Sequence, residues 1–191
     1  MVRYWVLKTR DDGDIAPQTR EPRDHWTNFL REHVVAIGWT LSGRLRQWRP
    51  NLLDVTFQEL GSDLLVTSYT TGPVIERTNR AKKAARTILN FIAEVNRGDK
   101  ILLCQGYAPN QEKHVHVYGF AEVESPAWPD DNSDWWLLKR RANIQSRECN
   151  VPKRRLAQIL AKGSLRQTLH EIEGSSFHEA CRYLDSIIGL S

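Results

Sequence analysis

Two short apolar runs each lead a polar side chain up to a large ring or a long cation. Tyr4-Trp5-Val6-Leu7 runs into Lys8-Thr9, and Val34-Val35-Ala36-Ile37-Gly38 runs into Trp39-Thr40. An indole offers a flat apolar face on which another planar ring can stack. A threonine hydroxyl can both donate and accept a hydrogen bond, and a lysine ammonium can only donate. Together these types suit the rim of a small pocket that grips a flat, polar-edged ligand. The same rings also suit the interior of a barrel, so Trp5 and Trp39 as core fillers are the open alternative.

The second feature is cationic. Between residues 139 and 155, Lys139, Arg140, Arg141, Arg147, Lys153, Arg154 and Arg155 put seven cations against one anion, Glu148. Arg80, Lys82, Lys83 and Arg86 form another cluster, for which a solvated helix face is an equally good reading. The whole chain carries 27 Lys and Arg against 23 Asp and Glu, a formal charge of +4, which permits a polyanionic partner without requiring one. The clustering points to phosphate contacts.

Other chemistries find no support. Cys104, Cys149 and Cys181 are an odd set with no Cys-x-x-Cys pair and no histidine at ligand spacing, which argues against a disulfide framework or structural zinc. His114 and His116 share a strand face but lack a third ligand. There is no Ser-His-Asp set, Walker sequence or glycine-rich nucleotide turn. No apolar stretch reaches the ~18 residues that span a bilayer, and no signal-peptide core is present, so a soluble, cytoplasmic protein without cofactor or metal is expected.

The elements that must position these residues alternate. Tyr4 to Thr9 reads as a strand, about 24 to 32 as a helix capped by Asp24, and 34 to 39 as a second strand. Residues 41 to 77 carry no firm signal. Ala81, Ala84, Ala85, Ile88, Phe91 and Val95 recur at helical spacing within 79 to 95, and the turn Asn96-Arg97-Gly98-Asp99 ends that helix. Ile101 to Cys104 and His114 to Val123 read as a hairpin, and Trp135 to Ile144 as another strand. A helix from Val151 to about Ala161, a closing strand at 168 to 172 and a final helix from Ser176 to Ile188 complete the chain. Five to six strands with peripheral helices predict an α+β domain whose sheet curls into a barrel. One domain over 1–191 is expected, with an insertion at about 41–77 and a helical extension at about 151–191.

Four segments then resemble a known family in order. Tyr4-Trp5-Val6-Leu7-Lys8-Thr9, Val35-Ala36-Ile37-Gly38-Trp39, Gly98-Asp99-Lys100-Ile101-Leu102-Leu103 and Tyr118-Gly119-Phe120-Ala121-Glu122-Val123 are similar to the EVE and YTH domains of the PUA-like superfamily. They are most similar to the EVE-like modules of McrB-type restriction proteins. The likeness covers about residues 3 to 144, and more weakly to 188. The chain departs from the YTH pattern in its Ile-Gly-Trp spelling and in the long insertion between Trp39 and Gly98.

That resemblance implies a nucleic-acid reader holding a flipped modified base in an aromatic cage. The base would be a methylated or hydroxymethylated cytosine or a methylated adenine, in DNA rather than RNA. Carried over, the cage takes Trp39 with Thr40, and a second ring from Trp128, with Trp135 as the alternative. Lys8 and Thr9 match the end of the first strand, and Tyr69 is a further pocket candidate. Arg10, Lys82, Lys83, Arg140, Arg141 and Arg147 are the candidates for the nucleic-acid backbone. The outcome of reading would pass to a separate effector such as a nuclease. Stacking at about 1 to 3 kcal/mol per base can offset the few kcal/mol needed to extrude a base. A competing implication comes from ASCH domains, which share the barrel and include small hydrolases using Lys, Thr and Glu. Lys8, Thr9 and Glu122 offer those types, but adjacent strand residues such as Lys8 and Thr9 point to opposite faces.

Overall fold

The structure is a computed structural model and describes residues 1–9, 26–38, 55–105, 113–129, 138–160 and 168–189. In chain order the elements are β1 (Tyr4–Lys8), α1 (Trp26–Glu32), β2 (Val34–Ile37), α2 (Phe57–Thr67) and α3 (Val74–Ala93). There follow β3 (Lys100–Cys104), β4 (His114–Val123), β5 (Trp128–Pro129), β6 (Leu138–Pro152), α4 (Lys153–Ile159), β7 (Leu169–Ile172) and α5 (Gly174–Ile188). They fall into two compact units. The first comprises Met1–Val35, Asn96–Ser125 and Arg141–Ser191, and the second Ala36–Val95 and Pro126–Arg140.

The first unit is built on a curled, open sheet in the order β2-β6-β4-β3-β1-β7. β1 pairs with β3 in parallel and with β7 antiparallel, so it lies inside the sheet and both its faces are covered. This explains a run in which Trp5, Val6 and Leu7 are all buried rather than alternating. The two edge strands, β2 and β7, are four residues each, short enough to offer little template for unwanted pairing. α4 and α5 cover one face, where Leu156, Ile159, Phe177 and Leu184 meet Val6, Leu102 and Val117. Each such side chain contributes about 1.5–3 kcal/mol on burial.

Trp5, next to Val6 in β1, is buried on the other face of the strand, 1% exposed. Its indole Nε1 donates to Asp99 Oδ2 at 3.0 Å, and the same carboxylate accepts the backbone N–H of Arg3 at 2.9 Å and of Asn96 at 2.9 Å. Asp99 is 1% exposed, so these donors replace its water. Gly98, at φ +89°, turns the chain there and donates to the Val123 carbonyl at 2.7 Å. Another glycine is demanded by close approach. At Gly119, φ +147°, a Cβ would stand 2.1 Å from the Gln145 carbonyl oxygen, at the bulge where β4 shifts register on β6.

The second unit is led by the α2–α3 helix pair. α2 starts in the unassigned stretch with a capping box, in which Thr56 Oγ1 accepts from the Glu59 N–H and the Glu59 carboxylate accepts from the Thr56 N–H. α3 begins at Val74, directly after Pro73 and earlier than the apolar spacing predicts. Ala81, Ala84 and Ala85 line its inner face with Ile88 and Phe91. β5 pairs Trp128 with Lys139 at the start of β6.

β6 runs to Pro152, well past the Ile144 limit read from the sequence, and the following helix starts at Lys153. The reason is its pairing with β4 from Val123↔Ala142 to His114↔Pro152, which holds a polar segment extended.

Candidate functional site

The outer face of α3 is cationic. With Ala81, Ala84, Ala85, Ile88 and Phe91 inward, the 3.6-residue repeat turns Asn79, Lys82, Lys83 and Arg86 outward, and all four are exposed. The helix sequence holds five cations (Arg77, Arg80, Lys82, Lys83 and Arg86) and one carboxylate, Glu76. Among the described residues Arg80, Lys82 and Lys83 have no ion-pair partner. The Arg86 guanidinium lies over the Phe57 ring of α2, 5.2 Å from its centroid, which holds it against the helix pair. Lys82, Lys83 and Arg86 share the outer face, and cations without ion-pair partners among the described residues suit a chain of phosphates.

The second cationic stretch is divided by the fold of the first unit and the start of β6. Arg140, expected at a nucleic-acid backbone, is instead 2% exposed. Its Nε donates to the Phe91 carbonyl at 3.0 Å and one terminal nitrogen donates to the Ile92 carbonyl at 3.0 Å. Arg140 closes the C-terminus of α3, where orphan carbonyls and the negative dipole end favour a cation. Arg147 faces Asp185 at 3.5 Å, and Arg155 faces Glu179 at 3.8 Å while lying over Tyr183. Arg141 and Arg154 are exposed.

The described pocket candidates fall in different compact units. Trp39, Thr40, Arg10 and Trp135 lie outside the described residues. Trp128 in β5 and Tyr69 after α2 are both half-buried in the second unit. The Tyr69 carbonyl accepts from Arg77 Nε at 2.7 Å, which ties the connection to the first turns of α3. Lys8 and Thr9 are buried in the first unit. Thr9 is 3% exposed, and both its N–H, at 2.9 Å, and its hydroxyl, at 3.5 Å, reach the Cys104 carbonyl. Thr9 therefore serves the junction of β1 with β3.

The hydrolase set does not assemble. Lys8 is in register with Cys104, and Glu122 is in register with Lys100 at the other end of β3. At about 3.3 Å per residue, that offset separates them by roughly 13 Å along the strands alone. Thiol nucleophiles fare no better: burial pushes Cys104 up to about 12 and Cys181 up to about 11, and raises Cys149. No group of three potential metal ligands occurs among the described residues.

One cluster escaped the sequence reading. Trp26 of α1 stacks on Tyr118 with ring centroids 5.0 Å apart, and its Nε1 donates to Glu148 Oε1 at 2.8 Å. His116 meets the Tyr118 ring edge-on at 4.6 Å, with Nδ1 2.9 Å from Asn150 Oδ1 and Nε2 3.6 Å from Glu148 Oε2. This is the anchor of α1 on the sheet. Its signal was the polar partners Glu148 and Asn150, which alternate on one face of β6 opposite His116.

Strand order and covering helices define an α+β protein on a curled, open sheet. No protein-family model and no curated protein matches the chain. Among solved structures, a protein of Agrobacterium tumefaciens is 16% identical, with 96% of this chain and 93% of that chain covered at a TM-score of 0.42. A protein of Pseudomonas putida is 12% identical, with 95% and 99% covered at a TM-score of 0.45. The YTH domain-containing protein Mmi1 in complex with RNA is 10% identical, with 98% and 83% covered at a TM-score of 0.43.

Proposed function

We propose that this chain is a non-catalytic nucleic-acid reader, in which the second unit grips a strand by its phosphates and holds one modified base against indole. The observation that carries the reading is the outer face of α3, where Lys82 and Lys83 stand exposed with no ion-pair partner among the described residues. Arg86 extends that row. A polyanion gains most from such a face, because each neutralised phosphate releases counterions.

The base-holding part rests on the resemblance. Trp39 is the stacking platform and Thr40 the edge-reading hydroxyl, with Trp128, or Trp135 as the alternative, supplying a second ring and Tyr69 a further pocket residue. Trp128 and Tyr69 belong to the same compact unit as α3, which supports one unit doing both tasks. A methyl group on the base adds apolar contact of about 1 kcal/mol, so the preference for a modified base is modest and polar readout sets the remainder.

The test is a titration of short oligonucleotides bearing methylated cytosine, hydroxymethylated cytosine or methylated adenine, beside plain ones. Trp39→Ala is expected to erase the preference between modified and plain strands and to leave the fold intact. Equal loss for all strands together with unfolding would return Trp39 to the core and remove the cage.

A further inference from the structure

One apolar residue of the helix corner, Ile75, lies in line with Lys82 and Arg86 of α3. Ile75 is 77% exposed, Val74 67% and Val66, near the end of α2, 73%, while the connection Ser68–Pro73 joins the two helices. Large aliphatic side chains this bare are the main exposed hydrophobics of the second unit among the described residues. Ile75, Asn79, Lys82 and Arg86 are spaced i, i+4, i+7 and i+11, so they form one stripe along the solvent face. At about 1.5 Å of rise per residue, Ile75 stands about 10 Å along the axis from Lys82, roughly three base steps at 3.4 Å each.

We infer that Ile75 is a wedge: it packs against the face of a base unstacked from its neighbour, in the strand whose phosphates follow Lys82, Lys83 and Arg86. This rests on the reading of the chain as a nucleic-acid binder and adds a contact outside the modified-base cage. The charge of the stripe selects the occupant. An aliphatic tip on one stripe with cations that have no ion-pair partner among the described residues meets both chemistries of a nucleic acid, the anionic backbone and the apolar face of a base. Aliphatic wedges between base steps are a general device of proteins that open or kink a strand.

The experiment uses the full chain and an unmodified DNA duplex with 2-aminopurine at successive positions, so that the cage is not engaged. Fluorescence anisotropy reads binding, and 2-aminopurine emission reads unstacking. The wild type is expected to bind and to raise emission at one step. Ile75→Ser should remove that rise and weaken binding by about tenfold, with the salt dependence of affinity unchanged. Ile75→Leu should retain both signals, and because the side chain is exposed, circular dichroism should show all variants folded. Lys82→Ala with Lys83→Ala should weaken binding and flatten the salt dependence, yet leave the rise at saturation. Binding without any emission change, or an Ile75→Ser protein that matches wild type, overturns the wedge and leaves the reader intact. No binding to any oligonucleotide overturns the reader and the wedge with it. If Ile75→Ser alters the sedimentation of the protein alone and not the emission, the corner is a self-association face and the wedge is overturned.

Discussion

The guanidinium of Arg140 lies across the last turn of α3, its Nε 3.0 Å from the Phe91 carbonyl and its centre 5.1 Å from the Phe91 ring. A cation that sequence density assigns to phosphate is spent on a helix end. Arg140→Ala is therefore expected to cost about 2–4 kcal/mol of stability, since charge-assisted bonds disappear and buried carbonyls are left without them. Denaturant unfolding measures it. Arg140→Lys should recover little, because one ammonium cannot reproduce the fork. If Arg140→Ala leaves stability unchanged and weakens oligonucleotide binding, the capping role is wrong.

Asp99 ties the start of β1 to the turn before β3. Trp5→Phe keeps most of the ring's bulk but withdraws one of the carboxylate's donors, so a destabilisation of about 1–3 kcal/mol is expected. Asp99→Ala should cost more, because the Trp5 indole and two backbone N–H groups are deprived of their acceptor together. Thermal unfolding of both variants, with ligand absent, would order them. Equal stability of Trp5→Phe and wild type would show that the indole bond contributes nothing.

Gly119→Ala is expected to destabilise by about 3 kcal/mol or more, through a positive φ and a Cβ placed on a carbonyl oxygen. Gly61→Ala is the control, because nothing lies within 4 Å of its Cβ position and it sits inside α2. That substitution should be stabilising by about 0.5–1 kcal/mol. Denaturant unfolding of the two variants beside wild type measures both effects.

The Cys104 thiol is raised to about 12 from a usual 9.0, by burial first and by the neighbouring Cys149 second. A folded-state value above the unfolded one means that the folded chain holds the proton more tightly. Its contribution to stability is full below pH 9 and fades as the pH rises from 9 through about 12. Cys181, raised to about 11, acts in the same direction. Unfolding free energy measured from about pH 8 to about pH 11 should fall, and Cys104→Ala should flatten that fall. Iodoacetamide at about pH 8 should modify Cys149 before Cys104, and early labelling of Cys104 would contradict its burial.

Legibility followed the locality of each cause. The body of α3 was plain from Ala81 to Phe91 because its periodicity is carried by its own residues. α2 was missed although Thr56 and Glu59 spell a capping box, since the short run Leu64-Leu65-Val66 fits helix and strand alike. The far half of β6, Gln145 to Asn150, is polar, and it is a strand only because β4 pairs with it from distant sequence. Arg140 was readable by alternation with Leu138 and Ala142, both buried, but charge counting assigned it with its exposed neighbour Arg141. The pairing of Trp26 with Glu148 spans 122 residues, so only its β6 side, the alternating Glu148 and Asn150, had a local signature.

Binding of modified and plain oligonucleotides, followed across a salt series in wild type and in the Lys82→Ala, Lys83→Ala double variant, probes the proposed reader most directly. The expected result is tighter binding of one modified strand. The slope of log affinity against log salt should be shallower in the variant by about 0.7–0.9 for each phosphate no longer neutralised. A slope identical in both proteins, or no binding even at low salt, would contradict it.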